Sequence, residues 1–203
     1  MKIFCVGRNY SEHAKEMGSD VPDEPVIFMK PKSALLQPHT PFYYPEFTNE
    51  LHYECELVLR ISKNGKYIQE KFANKYYDAI TVGIDFTARD IQNQLKEKGL
   101  PWEKAKAWDN SAVVGKWIPL NTLKNKKEIN FGLYKNKELV QKGISTEMLF
   151  DFDAIVSHIS NYFSVNIGDL IFTGTPAGVG EVVVGDEIEA YMENETLLTL
   201  EIK

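Results

Sequence analysis

Two cysteines, Cys5 and Cys55, carry all the thiol chemistry of this chain. Both lie inside apolar runs, so a disulfide framework is not expected and two reduced, partly buried thiols are, which points to a reducing compartment. Long apolar runs are missing too. Nothing approaches the roughly 20 residues of a membrane-spanning helix, so no membrane partner is expected. Met1-Lys2 leads straight into a strand-like segment without the pattern of a cleavable signal, and the expected address is cytoplasmic. Positive charge is in deficit: 23 Lys and Arg stand against 29 Asp and Glu, a formal net charge of -6. Nucleic-acid binding relies on a clustered basic excess, and the one dense basic stretch, Lys124 to Lys127, is short enough to be a solvated turn. No nucleic-acid partner is expected. Linkers, low-complexity tracts and long repeats are also missing, while 43% hydrophobic and 26% charged residues match a globular chain. A single domain over 1–203 is the expectation.

Strand signals outnumber helix signals. Ile3 to Val6 reads as a buried strand, after which Asn9 can cap a helix over Tyr10 to Met17, with Glu12 completing a capping box and Gly18 stopping the helix. Val26 to Met29 is strand-like within a Pro-rich stretch. Leu51 to Ile61 alternates with period two, and Asn64-Gly65 after it predicts a hairpin turn. Ala79 to Phe86 alternates again. Thr87 with Asp90 forms a second capping box, opening a helix to about Lys98 that Gly99 and Pro101 end. Ile129 to Tyr134 and Glu138 to Gln141 flank a predicted turn at Lys135 to Lys137, Thr146 to Tyr162 is predicted helical, and Asp169 to Phe172 and Glu187 to Met192 close the strand set. Strands and helices do not alternate as in doubly wound folds, so the fold class is α+β and β-rich.

Three carboxylates draw attention first. In Leu51 to Leu57 the side chains of His52, Glu54 and Glu56 share one strand face while Leu51, Tyr53, Cys55 and Leu57 take the apolar one, which sets two carboxylates about 7 Å apart along the backbone. They repel unless a cation lies between them; a solvated Glu ladder is the other reading. Asp85 ends the next alternating strand on its polar face, where it can join the pair or cap the following helix. An all-oxygen set of this kind suits Mg²⁺, Mn²⁺ or Ca²⁺. His13 and Glu16 lie three apart on the first predicted helix, where Glu16 can orient the imidazole as a general base, or the two can form an ordinary surface pair. Thr173 to Gly180 follows an apolar strand with a hydroxyl and backbone N–H groups in a tight turn, either a carboxylate cradle or a structural turn. Without Gly-Lys-Ser/Thr it is not a nucleotide loop.

Taken in order, Gly7-Arg8-Asn9-Tyr10 with His13 and Glu16, His52-Tyr53-Glu54-Cys55-Glu56-Leu57, Asp85-Phe86-Thr87-Ala88-Arg89-Asp90, Gly99-Leu100-Pro101-Trp102 before Ala105-Lys106, and Thr173 to Gly180 resemble the fumarylacetoacetate hydrolase family. The resemblance runs from about Ile3 to Ala190 and is to the small single-domain branch that includes acylpyruvases and oxaloacetate decarboxylases or tautomerases. It implies a mixed β-sheet roll, a homodimer, and Mg²⁺ or Mn²⁺ on Glu54, Glu56 and Asp85. It also implies a water-activating dyad of His13 and Glu16, a cationic Lys106 near the reacting carbon, and substrate contacts from Arg8, Arg89, Gln92 and Thr175. The implied function is metal-dependent enolate chemistry on a small 2-oxo acid: acylpyruvate hydrolysis, or oxaloacetate decarboxylation or tautomerisation. Isomerisation or decarboxylation of an unsaturated dicarboxylate is the alternative on the same scaffold, and a non-catalytic metal-stabilised binding protein is the alternative from another class.

Overall fold

The computed structural model describes residues 1–18 and 20–203. The chain opens with β1 (Ile3–Gly7), α1 (Ser11–Glu16) and β2 (Val26–Lys30), then runs irregularly to β3 (Leu51–Tyr53) and β4 (Cys55–Ile61). Next come β5 (Tyr77–Asp85), β6 (Thr87–Ala88), α2 (Arg89–Glu97), α3 (Glu103–Lys106), β7 (Ala112–Val114) and β8 (Ile118–Pro119). The last part holds β9 (Asn130–Lys135), β10 (Glu138–Ile144), α4 (Phe152–Tyr162), β11 (Leu170–Phe172), β12 (Gly180–Glu181), β13 (Glu187–Met192) and β14 (Glu195–Glu201). Strands dominate, as the alternating patterns predict.

Three sheets form a curled, mixed β structure. The largest orders its strands β2-β1-β11-β4-β5-β7, with β8 also on β5; the second runs β10-β9-β13-β14, and the third β12-β3-β6. Among the pairings between these described strands only β1 with β11 is parallel and the others are antiparallel; isolated parallel bridges join Leu35 to Ala112 and Phe42 to Ile202. Leu51, Tyr53, Cys55, Leu57 and Leu59 are all buried, so the apolar face read from the alternation is core. The large and second sheets bury a common cluster that includes Leu57, Ile80, Val82, Phe131, Leu133 and Ile188.

The stretch Leu51 to Ile61 is not one strand, and the interruption builds the site. β3 pairs with β6 and β12 in the small sheet, whereas β4 pairs with β5 and β11 in the large one. The chain therefore changes sheet at Glu54. The neighbouring chain changes sheet at the same level, between Asp85 of β5 and Thr87 of β6, and the two corners are joined by the Asp85 N–H donating to the Glu54 carbonyl at 2.8 Å.

Four local expectations are corrected. Asn9 does not cap α1: its side chain reaches away to Phe150 and Thr173, and the cap position is Tyr10 without a side-chain bond. Thr87 and Asp90 form no capping box; Asp90 is drawn off to the Thr48 hydroxyl and the Asn49 N–H, and Thr87 receives Lys106. Asn64-Gly65 is no hairpin turn, since β4 and β5 are joined through a 3₁₀ segment (Glu70–Lys75) and Gly65 bridges to Val165. The helix predicted from Thr146 begins at Phe152, because Asp151 caps it by accepting the Ala154 N–H at 2.9 Å. The Lys135 to Lys137 turn does form, with Asn136 and Lys137 at φ 52° and 70°, the left-handed pair a two-residue hairpin needs. Both cysteines are free and buried.

Candidate functional site

Glu54, Glu56 and Asp85 meet at the double corner, each offering an oxygen within 4.8 Å of the other two. They are 6%, 2% and 1% exposed, so a solvated Glu ladder is ruled out as the reading of this face. Buried carboxylates need partners. Glu54 has two: Arg89 donates to Oε1 at 2.6 Å and Lys106 to Oε2 at 2.7 Å. Burial pushes its pKa up, but Lys106 and Arg89 outweigh that and hold it below the usual carboxylate range. Glu56 accepts a single backbone N–H, from Gly174 at 2.7 Å, and burial followed by Asp85 and Glu54 drives its pKa well above the ordinary value.

Asp85 shows what the cluster lacks. Lys106 donates to its Oδ2 at 2.9 Å. Its Oδ1 lies 2.7 Å from Lys30 Nζ, yet the three N–H groups of that ammonium go to the Lys106 carbonyl, the Ser111 carbonyl and the Ser111 hydroxyl. Asp85 Oδ1 is thus buried beside a charge but without a directed hydrogen bond. An orphaned carboxylate oxygen, a neighbouring carboxyl forced toward its neutral form, and an all-oxygen set in one buried cluster together fit a hard divalent cation.

The remaining residues named from the sequence surround this floor. Arg8, His13, Arg89, Gln92, Lys106 and Thr175 all line one recess with the three carboxylates. His13 Nδ1 is 3.1 Å from Glu16 Oε2, and Glu16 also accepts the Gly178 N–H at 3.1 Å. A carboxylate can only accept, so Nδ1 carries the proton and Nε2 is left as the basic nitrogen. Lys106 donates to Glu54, Asp85 and the Thr87 hydroxyl, and its pKa is raised because Asp85 and Glu54 outweigh the lowering effect of burial. Arg89 also donates to Gln92, and Arg89 Nε lies 3.4 Å from His52 Nδ1. Burial, then Arg89, lowers the His52 pKa to about 4.

The Thr173 to Gly180 loop is a carboxylate cradle of a kind not expected: its Gly174 and Gly178 N–H groups hold Glu56 and Glu16 of the protein itself. The Thr175 hydroxyl donates its proton to the Cys55 carbonyl at 2.8 Å. Gly174, at φ +101°, lies so close to Asn9 that an added Cβ would stand 2.6 Å from Asn9 Cβ, and a side chain there would displace the loop.

Sequence reasoning missed three residues. Lys30 continues an apolar strand directly before Pro31, and a lysine in such a run is itself a signal of an internal partner. Lys96 lies seven residues after Arg89 and four after Gln92, on the same face of α2, and lines the same recess. Gln141 was read as part of a strand and no more.

A family model described as fumarylacetoacetate (FAA) hydrolase C-terminal matches residues 2–202. The mitochondrial oxaloacetate tautomerase of Mus musculus is 39% identical over 201 residues, spanning 99% of this chain and 91% of that protein. An oxaloacetate tautomerase of Escherichia coli is 37% identical over 199 residues, spanning 98% and 91%. Among solved structures, a fumarylpyruvate hydrolase from Pseudomonas aeruginosa in complex with Mn²⁺ and pyruvate superposes with a TM-score of 0.93 at 35% identity, covering 100% of this chain and 89% of that one.

Proposed function

Since this chain belongs to the fumarylacetoacetate hydrolase family, we propose that residues 1–203 act as one catalytic domain that enolises small 2-oxo dicarboxylic acids, oxaloacetate foremost, with Mg²⁺ or Mn²⁺ held by Glu54, Glu56 and Asp85. The observation that carries the reading is the buried carboxylate cluster with the orphaned Asp85 Oδ1, set in one recess with His13, Lys106 and Arg89. The named activities of the tautomerase relatives and the Mn²⁺ and pyruvate of the hydrolase structure support it.

The cation, when bound, supplies Lewis acidity where negative charge develops on the 2-oxo oxygen. The chain supplies the proton chemistry and the placement. His13 Nε2, left unprotonated by the Nδ1–H bond to Glu16, takes a proton from C3, and the electrons of that C–H bond form the C2–C3 double bond as the C2 oxygen becomes an enolate. Returning the proton to oxygen completes the tautomerisation. Lys106 provides a fixed positive charge beside the enolate, and Arg89 with Gln92 orients the C1 carboxylate. The same His13 Nε2 can instead take a proton from water attacking the C4 carbonyl of an acylpyruvate; collapse of the resulting tetrahedral adduct breaks C3–C4, the electron pair of that bond forms the pyruvate enolate while C4 leaves as a carboxylic acid, and His13 returns the proton to C3, so hydrolysis needs no additional residue.

The dicarboxylate preference rests on the mouth of the recess. Arg8 and Lys96 both line it, half-buried, beside Arg89. Arg8 is held at φ 59°, a strained setting for a non-glycine residue. Burial, then Arg8 and Arg89, lowers the Lys96 pKa, so these cations repel one another until an anion joins them. A second carboxylate on the substrate relieves that repulsion. The test is oxaloacetate tautomerisation, followed by ultraviolet absorbance in EDTA-treated and Mn²⁺-reloaded protein, with acetylpyruvate as the monocarboxylate comparison. Catalysis should require the metal, and Lys96→Met should raise KM for oxaloacetate by roughly tenfold, the effect of about 1.4 kcal/mol, while leaving acetylpyruvate nearly unchanged. Equal rates in EDTA and Mn²⁺ sink the metal reading; equal losses on both substrates sink the dicarboxylate preference. The homodimer is part of the same proposal, checked by light scattering.

A further inference from the structure

We propose that Gln141, which bonds none of the three carboxylates and meets the recess only from behind, through Thr175, is a positioning residue that holds the metal-ligand corner and the Thr173 to Gly180 loop in one geometry. Its role as stated for catalysis rests on the functional reading above; the clamp itself does not.

The placement begins with a bulge. β9 and β10 pair in register up to Leu139 opposite Tyr134, and resume with Gln141 opposite Leu133, so Val140 is the extra residue. The bulge resets which side chain points inward. Leu139 is left 45% exposed while the polar Gln141 is 1% exposed, the reverse of what hydrophobic burial alone selects. The bulged strand also presses on the loop: a Cβ added to Gly178 would lie 2.4 Å from the Val140 carbonyl.

Inside, the carboxamide is fully used. Oε1 accepts the Cys55 N–H at 2.9 Å, and Nε2 donates to the Thr175 hydroxyl at 2.9 Å and to the Pro176 carbonyl at 2.9 Å. A backbone N–H can only donate and a carbonyl can only accept, so the orientation of the amide is determined. Thr175 closes the ring by donating to the Cys55 carbonyl. Cys55 is the residue between Glu54 and Glu56, at the point where the chain changes sheet, and both of its backbone polar groups are committed to this ring. The loop on the other side holds Glu56 through Gly174 and Glu16 through Gly178. One buried side chain from the second sheet thus ties the acidic cluster to the His13–Glu16 pair. The ring also sets the polarity of Thr175: its proton is given to Cys55, so toward the recess the hydroxyl can act only as an acceptor.

Gln141→Met keeps the length of the side chain and removes all three bonds. Gln141→Glu keeps an acceptor for Cys55 but cannot, as a carboxylate, donate to Thr175 or Pro176. In either variant, checked for folding by circular dichroism, we expect Mn²⁺ affinity or kcat to fall by roughly 10- to 100-fold, the usual effect of losing an outer-sphere support. Amide exchange at Gly174 and Gly178 should accelerate in both, with or without metal. A residue that merely contributes to stability would lower the melting temperature and leave Mn²⁺ affinity, kcat and the exchange of these two amides unchanged; that result overturns the proposal. If Gln141→Met does not fold, the Glu variant carries the test. If the unsubstituted protein binds no Mn²⁺ and turns over no oxaloacetate, the functional reading fails, while the amide exchange still decides whether Gln141 clamps the loop.

Discussion

Glu56 shows how a single residue can report on the whole cluster. Burial, Asp85 and Glu54 raise its pKa in the metal-free protein. A carboxyl whose folded pKa exceeds the unfolded value contributes stability that is complete below the unfolded value and is lost as pH rises through the folded one. The melting temperature in EDTA should therefore fall as pH is raised from about 4.3, the unfolded reference, through the folded titration, and saturating Mn²⁺ should abolish the fall, because a bound cation favours the ionised carboxylate. Binding should release a proton, so calorimetric heats should depend on the ionisation enthalpy of the buffer. Glu56→Gln should weaken Mn²⁺ binding by more than the roughly 10- to 100-fold expected of an outer-sphere loss. A flat pH profile in EDTA, or unchanged Mn²⁺ affinity in the variant, contradicts this account of the cluster.

At the scale of elements, α1 depends on its surroundings. Six residues make too few internal hydrogen bonds to be helical in isolation, so tertiary contacts hold it. Asn9 secures the segment before it: Nδ2 donates to the carbonyls of Phe150 and Thr173 at 3.0 and 2.8 Å, and Oδ1 accepts the Phe150 N–H at 2.8 Å. Glu16, at the other end, is tied to Gly178. Asn9→Ala leaves buried backbone groups unpaired and should cost about 2–4 kcal/mol, read as a shifted urea midpoint. Because α1 carries His13, activity should decline at denaturant concentrations where the β-sheet circular dichroism is still native. If activity and ellipticity are lost together in the variant, α1 is not separately secured by Asn9.

For the whole molecule, the large sheet is the frame that keeps the two corners level. Gly83 of β5 is opposite Glu56 in register, and the space beside it is filled: a Cβ there would meet the Val113 carbonyl at 2.7 Å, Val58 Cγ2 at 2.7 Å and Phe172 Cε1 at 2.8 Å. Three strands thus close over one missing side chain. Gly83→Ala should destabilise by about 1–3 kcal/mol, the usual range for overpacking a core, measured by urea unfolding. Because the backbone oxygen cannot rotate away as a side chain can, the strain should also reach Glu56 and weaken Mn²⁺ binding. A variant as stable as the parent would mean that the sheet yields more readily than this packing allows.

Alternation and residue chemistry, both local, determined by themselves that this chain is β-rich, which strand faces form the core, and that Glu54, Glu56, Asp85 and the His13–Glu16 pair are the groups to examine. Period-two alternation of residue type and an i,i+3 spacing are properties of a few consecutive residues; packing kept the apolar face as core but buried the polar face of β4 and β5 as well. The tertiary structure alone decided where polar side chains find partners. Lys30 reaches the Lys106 carbonyl 76 residues away, Gln141 reaches Cys55 across 86, and Asn9 reaches Thr173 across 164. It also decided that Leu51 to Ile61 breaks at Glu54, since nothing in the alternation marks where a strand leaves one sheet for another. Asn9, Thr87 and Asp90 have the right chemistry to cap helices, and a sequence can show only that. Once the fold brings buried carbonyls, hydroxyls and ammonium groups within reach, those partners win, because an unpaired polar group costs more in the interior than at a helix end that water can satisfy.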